Sequence, residues 1–312
     1  MKRRDFLKGV AGGAVLTAVS SPIDASAEKK PRLDNALGIL YDATLCIGCQ
    51  VCMVACKKAN DMPYVPGDTL ETWEKPSELS SNTLNIIKKY EGGESQEKDV
   101  EDGFSFVKRH CMHCVDPACV SVCPVSALSK DPDTGVVTYN EKACIGCRYC
   151  QVACPFNIPK FQWESAFPKI VKCQLCSHLF KKNEISACCS QCPTGASLFG
   201  PVNDLMAEAK RRLQLQAGGY ADFPLSDIRT GKTVNARVAA YNKEIYGESE
   251  VGGTQVIMLS GVSFTKLGLP ELPDESYTGV AETIQHTLYK GLILPAVAFA
   301  GLAYVIKKNT KE

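Results

Sequence analysis

Sixteen of the seventeen cysteines fall into four groups of four, all of them between Cys46 and Cys192. Cys46, Cys49, Cys52 and Cys56 are spaced C-x2-C-x2-C-x3-C, and Cys111, Cys114, Cys119 and Cys123 are spaced C-x2-C-x4-C-x3-C. Cys144, Cys147, Cys150 and Cys154 repeat the first spacing, while Cys173, Cys176, Cys188 and Cys192 read C-x2-C-x11-C-x3-C. An odd total crowded into one region is poor arithmetic for a disulfide framework, which normally belongs to much smaller chains. A Cys-x2-Cys pair alone is shared by zinc, iron–sulfur and redox-thiol chemistry. Structural zinc sites take two separated knuckles with two ligands each. Here two groups present a third cysteine after only two more residues, and three groups close on Cys-Pro, at Pro124, Pro155 and Pro193. The thiols therefore read as ligands of iron–sulfur clusters. Cys189 is left over: choosing Cys188 keeps the x3 spacing of the other groups and makes Cys189 a spare buried thiol. His110 and His113 flank ligand cysteines without replacing them, and are assigned to the cluster shell or the surface rather than to the ligand set.

Loops that pass into helices must carry these runs. CIGCQVCMVAC from Cys46 and CIGCRYCQVAC from Cys144 keep Cys, Ile, Gly, Cys, Cys, Val, Ala and Cys in register, an internal repeat whose simplest cause is a duplicated unit. Three cysteines separated by two residues wrap one corner of a cubane, and the fourth, about one helical turn further on, points elsewhere. Gly48 and Gly146 allow positive φ and bring loop amides close to the sulfurs. Thr134-Gly135, between Asp133 and Val136-Val137-Thr138-Tyr139, predicts a tight hairpin. A small-residue strand start follows each Cys-Pro at Val125–Leu128 and Thr194–Leu198.

The remaining segments frame the cysteine region. Residues 60–101 are polar, contain Gly92-Gly93 and lack cysteine; they read as an inserted surface segment with a short helix around Leu84–Tyr90. A charged helix over Val202–Leu215, with Glu208, Arg211 and Arg212 on a solvated face, follows a strand, and Gly252–Leu259 predicts a final strand closed by Gly268-Leu269-Pro270.

The run from Cys111 to Cys154 resembles the ligand run of a two-cluster bacterial ferredoxin, in which the fourth cysteine of each motif serves the other motif's cluster. That resemblance implies that Cys144, Cys147 and Cys150 join Cys123, and that Cys111, Cys114 and Cys119 join Cys154. By the same rule Cys46, Cys49 and Cys52 join Cys192, and Cys173, Cys176 and Cys188 join Cys56. The order of the four groups, with CIGCQVCMVACKKAND first and Cys-Pro closing the other three, further resembles the four-cluster ferredoxin subunits of membrane oxidoreductases. These include the electron-transfer subunits of formate dehydrogenase, dimethyl sulfoxide reductase, nitrate reductase and hydrogenase-2. The resemblance spans about Ala36 to Pro270. It implies an α+β architecture: a duplicated bacterial-type two-cluster ferredoxin fold with a nested second unit (inner unit about 104–160), holding four 4Fe-4S clusters and doing no bond chemistry of its own.

The two ends choose among the relatives. Lys2, Arg3, Arg4, Asp5, Phe6, Leu7 and Lys8 precede a short apolar run and an Ala25-Ser26-Ala27 cleavage signal, so residues 1–27 resemble a twin-arginine export signal. That route moves proteins already folded, with clusters assembled in the reducing cytosol. Residues 28–286 hold the cluster domain. Residues 291–306 are uncharged and mostly apolar, and with 287–290, whose Lys290 snorkels to the interface, they are long enough to span a bilayer. Lys307, Lys308 and Lys311 follow in a tail over 307–312, which predicts one C-terminal transmembrane helix over 287–306 with its tail in the cytoplasm and the clusters at the periplasmic face. A signal together with an anchor resembles most the hydrogenase-2 iron–sulfur subunit, the HybA type. The expected partners are then a hydrogenase small and large subunit dimer, an integral membrane quinone-reactive subunit and membrane lipid, with the subunit of a formate dehydrogenase or another molybdoenzyme as the alternative. With 35 basic and 34 acidic residues and no block of like charge, nothing attracts nucleic acid.

Overall fold

The computed structural model describes residues 30–63, 78–279, 299–304 and 306–307. The export signal expected over 1–27 and most of the anchor expected over 287–306 lie outside these, as do residues 64–77 of the expected inserted segment. Among the described residues no helix is long and apolar enough to cross a membrane. Lys30–Ser276 form one compact unit, within which everything below lies.

Its elements in chain order begin with β1 (Leu37–Asp42), α1 (Val51–Ala59), β2 (Ile86–Glu91), β3 (Phe104–Arg109), α2 (Ala118–Ser121), β4 (Leu128–Lys130) and β5 (Val137–Tyr139). They continue with α3 (Tyr149–Ala153), β6 (Lys160–Phe161), β7 (Ile170–Val171), α4 (Ser177–Phe180), α5 (Ala187–Ser190) and β8 (Ser197–Pro201). The last are α6 (Val202–Leu213), β9 (Tyr220–Pro224), β10 (Thr233–Arg237) and β11 (Val256–Leu259).

A three-stranded sheet, ordered β11-β1-β8, is the centre of the core. β1 runs parallel to β11 from Ile39 opposite Val256 to Asp42 opposite Leu259, and antiparallel to β8 from Leu37 opposite Pro201 to Tyr41 opposite Ser197. Strand side chains alternate between faces, so these strands feed two separate apolar clusters. Leu40, Leu198, Ile257 and Leu259 pack under Leu205, Met206 and Ala209 of α6. Ile39, Tyr41, Phe199, Val256 and Met258 face the main core, which also receives cysteines 46, 52, 111, 188 and 189. Coverage on both faces explains why the strands read as unbroken apolar runs. A Cβ on Gly38 would lie 1.9 Å from the Gln255 carbonyl oxygen, so this residue's small size is what lets β1 and β11 approach.

Four two-stranded antiparallel ribbons surround the sheet: β2-β3, β4-β5, β6-β7 and β9-β10. The β4-β5 hairpin matches the turn at Thr134-Gly135, and the strand starts after Cys-Pro emerge as β4 and β8. The helix expected around Leu84–Tyr90 is instead strand β2, paired from Ile86 opposite Arg109 to Glu91 opposite Phe104. Ile86 and Ile87 are buried, and the partner strand supplies backbone hydrogen bonds that a six-residue isolated helix lacks. α6 agrees with its expected place, but its solvated face does not hold: Arg212 is 0% exposed and Glu208 is buried. Arg212 donates to Asp42 Oδ2 and Glu208 Oε1, both at 2.8 Å, and lies over the Phe223 ring. The pairing of charges across β1 and α6 is what permits their burial, and no sequence period announces it.

Candidate cluster sites

Each CIGC loop is held by the same local devices. At the first, Asp42 Oδ1 accepts from the Thr44 amide at 3.0 Å; at the second, Asn140 Oδ1 accepts from the Lys142 amide at 3.1 Å. Such an Asx turn fixes the approach of the chain to its first cysteine. Gly48 (φ 69°) and Gly146 (φ 71°) take the left-handed conformation and point their amides at Cys46 Sγ and Cys144 Sγ, both at 3.4 Å. The Leu175 amide reaches Cys173 Sγ at 3.4 Å, the Ala127 amide reaches Cys123 Sγ at 3.2 Å and the Ser197 amide reaches Cys192 Sγ at 3.4 Å. Amides aimed at sulfur favour the thiolate, the form that binds iron. The repeat extends five residues upstream of each first cysteine: Tyr41 neighbours Cys46 and Tyr139 neighbours Cys144. Comparing YDATLCIGC with YNEKACIGC would have found both tyrosines and both turns.

The thiols gather into sets that cross the chain. Burial, and then the neighbouring thiols of Cys173, Cys188 and Cys176, push the Cys56 thiol well up. Cys56, Cys173, Cys176 and Cys188 line one cavity. Cys123, Cys144, Cys147 and Cys150 line another, and Cys150 is pushed up to about 11 by burial and by those three neighbours. Burial and then Cys111, Cys154 and Cys119 raise Cys114. Cys46, Cys52 and Cys192 all neighbour the buried Tyr41, with Cys49 on the Cys46 loop. Helix packing explains the crossing: α1, carrying Cys52 and Cys56, packs on α5, carrying Cys188, and α2, carrying Cys119, packs on α3, carrying Cys150.

Cys189 is completely buried, with its sulfur 4.0 Å from Cys188 Sγ. The hydrogen bond between them favours the thiolate on Cys188, held below the ordinary thiol value, and the thiol on Cys189, raised by burial. His110 and His113 are both buried, which removes the surface alternative. The Val137 amide donates to His113 Nδ1 at 3.0 Å, so Nε2 carries the hydrogen, and that donor is buried without a protein acceptor. Burial holds His110 down to about 3 and keeps it neutral. Two buried lysines escaped the sequence reading. Lys108 Nζ lies 3.0 Å from Ser197 Oγ, and Lys172 Nζ donates to the Cys173 carbonyl at 3.0 Å.

The residues fit iron–sulfur clusters. Buried thiols raised by desolvation are held ionised only by a strong cationic core, and several amides already point at them. Among the described residues no group of three or more His, Cys, Asp or Glu side chains is gathered to grip a single metal ion. Four thiols around a cavity suit a core of several irons better than one ion, and an orphaned imidazole donor such as His113 Nε2–H has a natural acceptor in inorganic sulfide.

Comparison with known proteins bears on the same residues. Two family models, each described as a 4Fe-4S dicluster domain, match residues 38–124 and 103–202. The chain is 45% identical over 318 aligned positions to hydrogenase-2 operon protein HybA of Escherichia coli O157:H7, covering 100% of this chain and 97% of that one. It is 31% identical over 269 positions to the formate dehydrogenase-O iron-sulfur subunit of Escherichia coli K12, covering 84% of this chain and 78% of the relative. The nitrate-inducible formate dehydrogenase iron-sulfur subunit of the same organism is 30% identical over 314 positions, covering 97% and 92%. With both dicluster regions present and full-length similarity to HybA, the chain belongs to the HybA family of 4Fe-4S iron–sulfur proteins.

Proposed function

We propose that this chain is the electron-transfer subunit of a respiratory hydrogenase, relaying electrons between the hydrogenase small subunit and a quinone-reactive membrane subunit. Four 4Fe-4S clusters, when bound, each accept and release one electron at a time. Cys46, Cys49, Cys52 and Cys192 hold one; Cys56, Cys173, Cys176 and Cys188 a second; Cys111, Cys114, Cys119 and Cys154 a third; Cys123, Cys144, Cys147 and Cys150 the fourth. The chain's own groups bind, exclude water and orient: the amides of Gly48, Gly146, Leu175, Ala127 and Ser197 stabilise ligand sulfurs, and the apolar clusters around β1 keep the outer sites dry. The observation that supports this reading is the gathering of thiols from distant runs of the chain within one compact unit.

The export signal over residues 1–27 delivers the folded domain to the periplasmic face, and the helix over 287–306 anchors it beside the membrane subunit and lipid. Truncation before Thr287 is expected to move the protein from the membrane to the soluble periplasmic fraction; continued sedimentation with membranes contradicts a spanning anchor. The partner is tested by purifying the native complex and assaying hydrogen uptake against formate oxidation. Hydrogen uptake with a co-purifying hydrogenase dimer is expected. Formate oxidation with a co-purifying molybdoenzyme supports the second reading, which the 30% and 31% identities to formate dehydrogenase subunits keep open.

A further inference from the structure

Lys108 stands on β3 opposite Ile87 and is 1% exposed. Among the described residues no carboxylate lies within ion-pair distance of its ammonium, whereas the buried Arg212 has two and the buried Lys172 bonds the Val137 and Cys173 carbonyls. Its Nζ meets the Ser197 hydroxyl at 3.0 Å, and the amide of that same Ser197 points at Cys192 Sγ. Its ammonium hydrogen-bonds Cys188, with Cys52 and Cys189 beside it, and Cys56 and Cys176 also count it among their neighbours. The thiols around it therefore belong to two different sets: Cys52 and Cys192 to one, and Cys56, Cys176 and Cys188 to the other. An unpaired ammonium in the interior is disfavoured by several kcal/mol unless anions surround it. Here the anions are the sulfurs that ligate iron, drawn from both of these outer sets around one cation.

We infer that Lys108 is the common counter-cation of the two outer clusters and raises the reduction potential of both. This rests on the four-cluster reading above. Adding one electron to either outer cluster adds one negative charge, with no bond made or broken and no proton taken up. A fixed positive charge in a dry interior stabilises the reduced form more than the oxidised one, and potentials follow net charge, sulfur hydrogen bonds and exposure. Because the cation is shared, the same residue biases both clusters toward holding an electron. Among the described residues the site formed by Cys123, Cys144, Cys147 and Cys150 has no such group, its nearby Lys169 being half-buried and bonded to the Glu141 and Cys144 carbonyls, while the buried Lys172 neighbours Cys119 and Cys154 of the other inner set.

The test is a potentiometric titration of the whole membrane complex, followed by electron paramagnetic resonance, in wild type, Lys108→Met and Lys108→Arg. Wild-type protein with fewer than four clusters refutes the four-cluster reading before any variant is compared. With four clusters present, Lys108→Met is expected to lower two midpoints, each by tenfold or more in the one-electron equilibrium constant, or about 59 mV. The other two midpoints stay within that margin, and Lys108→Arg restores the lowered pair. Four unshifted midpoints, or four shifted alike, overturn the inference. If Lys108→Met loads only the inner pair, recovery of the outer pair in Lys108→Arg supports a need for charge, and failure to recover it overturns the inference in favour of shape.

Discussion

The Cys46 and Cys144 loops share their ligand run, their Asx turn, their glycine and their upstream tyrosine, yet they sit in different media. Cys46, Cys52 and Cys56 are all buried, and desolvation raises the Cys46 thiol despite help from Tyr41 and Gly48. At the second loop the matching Cys144 and Cys154 are half-exposed, while Cys49 and Cys147 are half-exposed in both and Cys150 is buried like Cys52. Burial there would also raise Cys144, but the Tyr139 hydroxyl, the Ile170 and Gly146 backbone and the Lys169 ammonium together bring it below the ordinary thiol value. The surroundings differ in the same sense. The first loop grows out of the central strand β1 and exposes Ile47 and Val51, whereas the second exposes Ile145, Tyr149 and Val152 more fully. One motif thus yields two electrostatic settings, because the ligand run fixes the loop and the packing around it fixes the dielectric.

Several substitutions sharpen or break this comparison. The largest effect is expected from Cys46→Ser and Cys144→Ser, each of which removes one cluster, so iron and acid-labile sulfide each fall by about four per chain. Only Cys46→Ser should also lower the melting temperature of the whole unit, since Cys46 belongs to the main apolar cluster. Equal thermal losses in the two variants erase the distinction drawn here.

Asp42 and Asn140 occupy matching positions but carry different loads. Asp42 receives Arg212 and the Tyr241 hydroxyl, both at 2.8 Å, besides forming its Asx turn. Asp42→Ala leaves the buried Arg212 guanidinium with Glu208 alone and is expected to cost about 3 kcal/mol in denaturant unfolding. Asn140→Ala loses only its cap-like bond to the Lys142 amide, about 1 kcal/mol. Similar values for both would mean that the buried ion pair contributes nothing beyond the turn.

Acid should act on the first loop's support. Glu208 is held below the ordinary carboxylate value by Arg211 and Arg212, although burial opposes this. Its contribution is therefore complete above its unfolded value of about 4.3 and is lost as pH falls through its lower folded value. Midpoint denaturant concentration measured from pH 6 downward should fall in that acid range, and Glu208→Gln should flatten the decline. The smallest effect belongs to Cys189→Ala: unchanged iron content and about 1 kcal/mol of lost packing, against loss of a cluster in Cys188→Ala. Loss of iron in Cys189→Ala would reassign the ligand.

The local ligand geometry was legible because spacing, glycine and Cys-Pro act over a few residues. The β4-β5 turn, α6 and β11 were legible for the same reason. What escaped depends on partners far away in sequence. Residues Ile86–Glu91 become a strand only because Phe104–Arg109 lie beside them. Glu208 and Arg212 look like a solvated i,i+4 pair until Asp42 reaches them from β1. Lys108, in FSFVKR, has no period that marks it as internal, since four successive residues of that strand are buried by covers on both faces. The tyrosines and Asx turns were readable in principle, had the repeat been extended upstream of its cysteines.

The most direct measurement is iron and acid-labile sulfide per polypeptide in the intact complex, taken together with the dithionite-reduced electron paramagnetic resonance spectrum. Four clusters on sixteen cysteines predict about sixteen of each per chain and mutually interacting cluster signals. Zinc in place of iron, or iron and sulfide near eight per chain, contradicts it.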